Sequence, residues 1–425
     1  MTGTIPNASD TSQKMSYVTE LRCDRCAARR PHRDRVLLCL DCGGVLDAQY
    51  DLDAIARAVS IERIVSRPPG VWRWREFLPV SGERHLVDIG AGSSPLIRCS
   101  QLSSWIGARV WVKYEGQQPT GSLKDRSFAV AVGKASELGV RGAITYSSGN
   151  AAASLAAHAN HIGLPGLILV NAWADRAKLA ALQAYGMPVV LLDWSDFRQV
   201  EAMMVHAVSA LGLYGFVNFQ NPWRHEGYKT YAYENWLDLG RRTPHHQIHP
   251  IGTGGGIFGS WKGYRDLIAV GWTDSIPRLH GTQPATCSSV VTAFRNGAEE
   301  AFSEGDPTAT IAEAIANNVP LDAGRRPLRA IRETGGQAVA ITDDEMRDGI
   351  RRLGREGIFA EPAGASTVWA AKRLVESGSI GPDETVVLIV TATGLKQPEA
   401  APVSELPRMT ATVDDLERIV KQWMS

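Results

Sequence analysis

The sequence predicts an α/β protein with two domains of parallel sheet and an N-terminal zinc-ribbon-like segment. Three observations carry this. From about residue 85 onward, short β-branched runs alternate with alanine-rich helical stretches, the pattern of strands joined by crossover helices. The length, 425 residues, exceeds what one ordinary core organises and implies two domains with an appendage. Four cysteines stand as Cys23-x2-Cys26 and Cys39-x2-Cys42 with twelve residues between the pairs. In a cytosolic chain that spacing reads as a tetrathiolate zinc site rather than two disulfides, the other reading being a vestigial or redox-active knuckle.

The elements follow in order. Residues 1–20 are polar and expected to be disordered. Residues 21–52 form the ribbon. A polar, proline-containing connection follows, with Trp72 and Trp74. RVWVKYE (109–115) reads as a strand, and GSLKDRSFAVAVGKASELG as a loop running into a helix. GAITYSS, PGLILVN and MPVVLLD are strands, separated by the helical NAAASLAAHANHIG and DRAKLAALQAYG. A second set comprises HQIHPIG, a glycine loop, a helix over 257–269 and the strand RLHGTQP. The helix after EPAGAS and the strand TVVLIVT (385–391) close the pattern. The expected domains are 53–114 with 220–405, the larger, and 115–219, the smaller.

Bulk properties exclude some functions. Lys+Arg and Asp+Glu both number 45, so net charge gives no reason to expect nucleic acid or an anionic membrane as a partner. The N-terminus has no apolar signal core, and no apolar run reaches the roughly 18 residues of a spanning helix. The expected compartment is the cytoplasm. Between the knuckles lie Arg29, Arg30, Arg33 and Arg35. A basic ribbon can bind nucleic acid, but nothing basic or aromatic extends this patch, and a solvated loop over a docked knuckle is the favoured reading. Cys99 and Cys287 stand alone and read as buried small hydrophobes.

In open parallel sheets, ligands bind in the loops at the carboxyl ends of strands. Four such loops are unusual. PTGSLKDR places Ser122 as a plausible N-cap and Lys124 in a first helical turn, where a cation is disfavoured by about 0.3–1 kcal/mol. A desolvated or condensed amine avoids that conflict, whereas a surface lysine paired to Asp125 tolerates it. In SSGN, Ser147, Ser148, Gly149 and Asn150 open a helix whose N-terminus suits a carboxylate, or is simply capped by Asn150. GTGGG (Gly252, Thr253, Gly254, Gly255, Gly256) can cradle a phosphate on its backbone amides, although a lone glycine loop is a weak signal. Thr391 ends the strongest apolar strand, where its hydroxyl either meets a ring nitrogen or caps the chain. Together they supply what pyridoxal 5'-phosphate needs: an amine, a phosphate anchor, a ring-nitrogen partner and a place for an amino acid carboxylate.

PTGSLKDR, SSGNAAAS, GTGGG, EPAGAS and TATGLKQP resemble the motif set of fold-type II pyridoxal-phosphate enzymes. The threonine synthases are the most similar group. NPWRHEGYKTYAYE (221–234) resembles their NP-x-R-x-EG-x-KT segment, and the cysteine-rich start resembles their zinc knuckle. The resemblance spans about Cys23 to Pro398. It implies a tryptophan synthase beta-like fold, with the cofactor in the cleft between the two domains. Lys124 is then the Schiff-base lysine and the acid/base at Cα. Asn150 contacts the cofactor 3-oxygen, Gly252 to Gly256 hold its phosphate, and Thr391 faces the ring nitrogen. Ser147, Ser148 and neighbouring amides take the substrate carboxylate. Asn218, Arg224 and Lys229 fall where an anionic substrate group is held, and Asp125 and Arg126 brace the lysine loop. Cys23, Cys26, Cys39 and Cys42 hold structural zinc. By analogy the chain is a homodimer.

The chain also departs from that pattern. Ala151 stands where the family reads SGNT, and Phe219 where it carries a hydroxyl before NP. Each missing hydroxyl forfeits a hydrogen bond to a charged group, worth about 1.5–3 kcal/mol, and Phe219 is expected to add bulk there. Ala91 and Gln397 replace usual carboxylates. The expected activity is a pyridoxal-phosphate-dependent lyase or transferase of the threonine synthase type. It would eliminate a β or γ leaving group, phosphate among the candidates, from a small amino acid and add water or another nucleophile. The alternatives are a β-replacement enzyme resembling cysteate or cysteine synthase, a serine/threonine dehydratase, or a non-catalytic sensor or scaffold.

Overall fold

The computed structural model describes residues 14–424 except 173, 175, 194–196, 318–321, 404–405 and 407. Three sheets organise it. The first is a three-stranded antiparallel sheet of β1 (Val18–Cys23), β2 (Arg29–Pro31) and β3 (Leu46–Tyr50), in the order β2-β1-β3. It holds the four cysteines. The disorder expected over 1–20 is corrected at its end: β1 begins at Val18, and Ser16 and Tyr17 are already buried. Ser16 Oγ donates to Leu78 O at 2.5 Å and Tyr17 N to Glu76 O at 3.3 Å, which tie this stretch down. Residues 1–13 of that expectation lie outside the described residues.

The second sheet has six strands. In chain order they are β4 (Leu96–Arg98), β5 (Arg109–Tyr114), then β10 (His246–Pro250), β11 (Arg278–Pro284), β12 (Ala338–Ile341) and β13 (Thr385–Val390). Their spatial order is β12-β11-β10-β13-β5-β4. All pairings are parallel except β4 with β5, an antiparallel edge that the sequence reading missed. Three residues of half-exposed LIR carry too little periodicity to announce a strand. β13 is buried from Val386 to Val390, as expected of a central parallel strand covered on both faces.

The third sheet is parallel and has four strands: β6 (Ala143–Tyr146), β7 (Gly166–Asn171), β8 (Val189–Leu192) and β9 (Tyr214–Gly215), ordered β8-β7-β6-β9. Its strands all fall between those of the second sheet in the chain.

Five helices matter to the site: α1 (Lys124–Glu137), α2 (Asn150–His161), α3 (Arg224–Tyr228), α4 (Gly255–Ala269) and α5 (Pro362–Glu376). α5 starts with a proline, whose missing N–H costs nothing at a first helical position. α1 packs on both α2 and α3. At Gly227 an added Cβ would lie 1.9 Å from Arg126 O, so α3 meets α1 at a distance only glycine permits. The carboxyl ends of β5, β6, β10 and β13 point into one cleft. Among the described residues no helix is long and apolar enough to cross a membrane.

Candidate active site

The cleft encloses a cavity of about 840 Å³. Lys124, Ser147, Ser148, Asn150, Ala151, Asn218, Arg224, the whole loop Gly252 to Gly256 and Thr391 all line it. These positions lie far apart in sequence and meet because each sits in the loop after a parallel strand or in the first turn of the helix that follows.

Lys124 is the first residue of α1. The residue before the helix is Leu123, not Ser122, whose hydroxyl accepts from Lys124 N at 3.4 Å. The turn uses Gly121 at φ +77°. It is stitched to the end of β13, with Leu123 N donating to Thr391 O at 2.8 Å and Thr393 N to Gly121 O at 3.1 Å. Asp125 does not pair with the lysine. Its carboxylate accepts from Thr120 N at 2.7 Å, Thr120 Oγ1 at 2.8 Å and Ser154 Oγ at 2.6 Å. Arg126, fully buried, ion-pairs with Glu115 at 2.8 Å and Glu234 at 2.6 Å. Both neighbours hold the loop, and among the described residues the Lys124 amine has no hydrogen bond or ion pair.

Asn150 opens α2, but its side chain is not a cap. Nδ2 donates to Glu361 Oε2 at 3.1 Å. The other oxygen of Glu361 accepts from Thr391 Oγ1 at 3.0 Å. Glu361 is buried in the cavity wall, and burial raises its pKa despite both hydrogen bonds and the nearby Lys124 and Lys396. Sequence reasoning missed this residue, although EPAGAS was a matched motif. Lys396 was missed too. It lines the cavity beside Gly121, where burial lowers its pKa against the pull of Asp125 and Glu361. Both follow motif positions at strand and helix ends, the one signal that could have found them.

The glycine loop ends at Gly254, φ +87°, which caps the fifteen-residue α4 without any side-chain cap bond. A Cβ on Gly254 would lie 2.6 Å from Pro327, and one on Gly255 would lie 3.2 Å from Asn218. The first amides of the helix therefore face the cavity unobstructed, at the positive end of the helix dipole. Asn218 donates to Thr253 Oγ1, and its own buried Oδ1 lacks a hydrogen-bond partner.

Arg224 is buried at the cavity wall. Nε donates to Ser127 Oγ at 3.1 Å, Nη1 to Phe216 O at 3.0 Å, and the guanidinium lies 4.4 Å from the Phe128 ring centroid. Among the described residues no carboxylate pairs with it. Burial pulls its pKa below the ordinary arginine value.

Two expectations are corrected. Lys229 does not reach the cavity. It is buried in ion pairs with Asp266 at 2.9 Å and Glu226 at 3.2 Å, with its ammonium 3.8 Å from the Tyr50 ring centroid. Five residues of helical spacing turn it roughly 140° away from Arg224. Phe219 does not crowd the cavity either. At φ +60° its side chain turns into the core and stacks on His225 with ring centroids 4.5 Å apart.

The four cysteine sulfurs lie within 4.8 Å of one another, with contacts of 3.5 Å for Cys23–Cys42, 3.6 Å for Cys26–Cys39 and 3.4 Å for Cys26–Cys42. Tetrahedral zinc with Zn–S near 2.3 Å sets S···S at about 3.8 Å, so the cluster fits a tetrathiolate zinc site. Three of the four arginines between the knuckles are engaged within the chain: Arg30 with Asp41, Arg29 with Glu20 at 3.6 Å, and Arg35 with Leu138 O at 2.9 Å.

Comparison with known proteins agrees with this geometry. A family described as pyridoxal-phosphate dependent enzyme matches residues 87–392. A threonine synthase of Methanocaldococcus jannaschii is 37% identical over 406 residues, covering 94% of this chain and 99% of that protein. One of Methanosarcina acetivorans is 36% identical over 405 residues, covering 94% and 98%. Among solved structures, a threonine deaminase of Solanum lycopersicum superposes with TM-score 0.62 at 22% identity, over 74% of this chain and 88% of that one, which shows a shared fold. The free lysine amine, the unobstructed amides of α4 and the orphaned Asn218 oxygen all fit the cofactor of that family. The chain belongs to the fold-type II pyridoxal-phosphate dependent enzymes and is related to the threonine synthases.

Proposed function

We propose that this enzyme eliminates an anionic group, phosphate first among the candidates, from Cβ or Cγ of a small amino acid and adds water or another nucleophile. The observation that carries the reading is Arg224. A buried cation without a counter-ion is costly, and an anionic substrate group supplies one at the cavity wall. When bound, the cofactor supplies a carbonyl for amine condensation and an electron-withdrawing ring. The loop Gly252 to Gly256 would hold its phosphate, and Asn150 and Thr391 the ring. Lys124, with no competing partner, is placed to take the proton from Cα and return it later. Ser147, Ser148 and the first amides of α2 orient the substrate carboxylate. Lys396 adds a second basic group to the cavity wall.

The test is phosphate release from O-phosphohomoserine by purified, cofactor-loaded enzyme, with threonine as product. Lys124→Ala should abolish both turnover and the visible absorbance of the lysine-bound cofactor. A wild-type enzyme with no such band after cofactor saturation sinks the reading. A second reading, β-replacement or dehydration of a serine-like substrate, is favoured by Ala151, which leaves the cavity wall one hydroxyl short for phosphate. Turnover of O-acetylserine or serine, without phosphate release from O-phosphohomoserine, selects it.

A further inference from the structure

We infer that the four-cysteine ribbon braces the anion-binding helix α3, so that the integrity of the ribbon sets the affinity for the group held by Arg224; this rests on the reading of Arg224 given above.

α3 is clamped from two sides. On one side Gly227 meets the backbone of α1, and Arg224 faces the cavity. On the other side the next residues meet cations that the ribbon holds. Glu226 accepts from Lys262 Nζ at 2.7 Å, and the same ammonium donates to Asp47 Oδ1 at 2.9 Å and Ala48 O at 2.9 Å, both in β3. His225 Nδ1 lies 3.3 Å from Arg326 Nη1. That guanidinium donates to Asp24 Oδ2 at 2.7 Å and to Leu46 O at 3.1 Å. Lys229, which follows α3, lies over Tyr50 at the end of β3.

Asp24 sits inside the first knuckle, between Cys23 and Cys26. Its position therefore depends on the fold of the cysteine cluster. Of the ion pairs that Lys262 and Arg326 make, Asp47 and Asp24 are the ribbon's share, and Arg326 has no other carboxylate ion pair among the described residues. The ribbon is also fastened to α1, since Arg35 Nε donates to Leu138 O just past its C-terminal end. Leu21, Leu46 and Ala48 share one core with Phe128 of α1 and Trp223, the residue before Arg224. A module that only tethered another molecule would not share that core. Loss of the metal would release Asp24 and β3 together, leave two buried cations beneath α3 short of partners, and let Arg224 drift from its place.

The experiment measures the dissociation constant of inorganic phosphate for the cofactor-loaded enzyme by titration calorimetry, alongside zinc content and the visible cofactor band. The doubly substituted Asp24→Asn, Asp47→Asn enzyme is expected to keep zinc and the cofactor band while binding phosphate about tenfold more weakly. Zinc removal by a chelator is expected to act in the same direction. Asp47→Asn alone provides a milder variant should the double substitution impair folding. Unchanged phosphate affinity in the ribbon variants, with Arg224→Met losing it, overturns the inference. Loss of the cofactor band in parallel with phosphate affinity also overturns it, since the ribbon would then support the whole fold rather than α3. Unchanged affinity in Arg224→Met, or no phosphate binding by the unmodified enzyme, instead overturns the reading of Arg224, and the inference falls with it.

Discussion

A carboxyl group buried between an amide and a hydroxyl titrates differently from one in water, and Glu361 is such a group. Burial holds its pKa above the ordinary 4.5, although Asn150, Thr391 and the two lysines pull it down. The folded state therefore keeps the proton to higher pH than the unfolded chain. Its contribution to stability is complete below about 4.5 and is lost as pH rises through the raised value, at about 1.4 kcal/mol for each pH unit between the two. Glu361→Gln removes this titration. Thermal melting of the cofactor-free variant should change less with pH above 4.5 than that of the parent. An identical pH profile contradicts it. Lys124 stood out in the sequence because a cation in a first helical turn is anomalous. Glu361 was not, because a glutamate before a proline-led helix is unremarkable until Asn150 and Thr391 are brought to it.

At the scale of elements, α4 depends on its first turn. Gly254 adopts φ +87°, and a Cβ there collides with Pro327 at 2.6 Å, while a Cβ on Gly256 meets nothing closer than 3.5 Å. Gly254→Ala should lower stability by about 1–3 kcal/mol, and Gly256→Ala by much less. Denaturant unfolding of the two variants checks this, and equal losses would mean that the turn relaxes around the new side chain. Phosphate-type anchoring on the α4 amides should weaken with the former as the turn shifts. The expected helix over 257–269 starts two residues earlier, at Gly255. Glycine propensity argues against a helix start at Gly255-Gly256, but a Cβ on Gly255 would lie 3.1 Å from Tyr228 and 3.2 Å from Asn218, so packing favours glycine there. Helical phase explains the other element-level surprise. Arg224 and Lys229 look like one cationic pair in sequence, but the turn between them sends one to the cavity and the other to Glu226 and Asp266.

For the whole molecule, acid should be the more damaging direction. His249 and His280 lie within the central sheet, and burial lowers each to about 3. Both therefore stay neutral in the fold while the unfolded chain protonates them near 6.5. Their stabilising contribution is present above 6.5 and is lost as pH falls toward 3, each at about 1.4 kcal/mol per pH unit. His280 stacks on His246, whose Nδ1 lies 3.0 Å from His280 Nε2, and it accepts from Gln337 N at 3.0 Å. His280→Asn keeps an acceptor for that amide and removes the titration. Its unfolding free energy, measured between pH 4 and 6.5, should depend less steeply on pH than that of the parent. An unchanged slope would show that His280 is not among the groups driving acid unfolding.

The sequence by itself determined the class of the fold, the cysteine cluster and the loops that face the cleft. Each of these is a local signal: a strand's apolar run, a C-x-x-C turn, a glycine loop, a lysine in the wrong place for its charge. Only the tertiary structure decided which side chains share the cavity. Phe219 and Lys229 sit in motif positions yet turn into the core, because backbone φ at one and helical phase at the other set their direction. Glu361 and Lys396 enter the site, and Asp24 and Asp47 reach beneath α3, through contacts between segments hundreds of residues apart. Residue type and spacing record what a segment can do. Its partners depend on long-range packing, which the sequence does not carry in any local pattern.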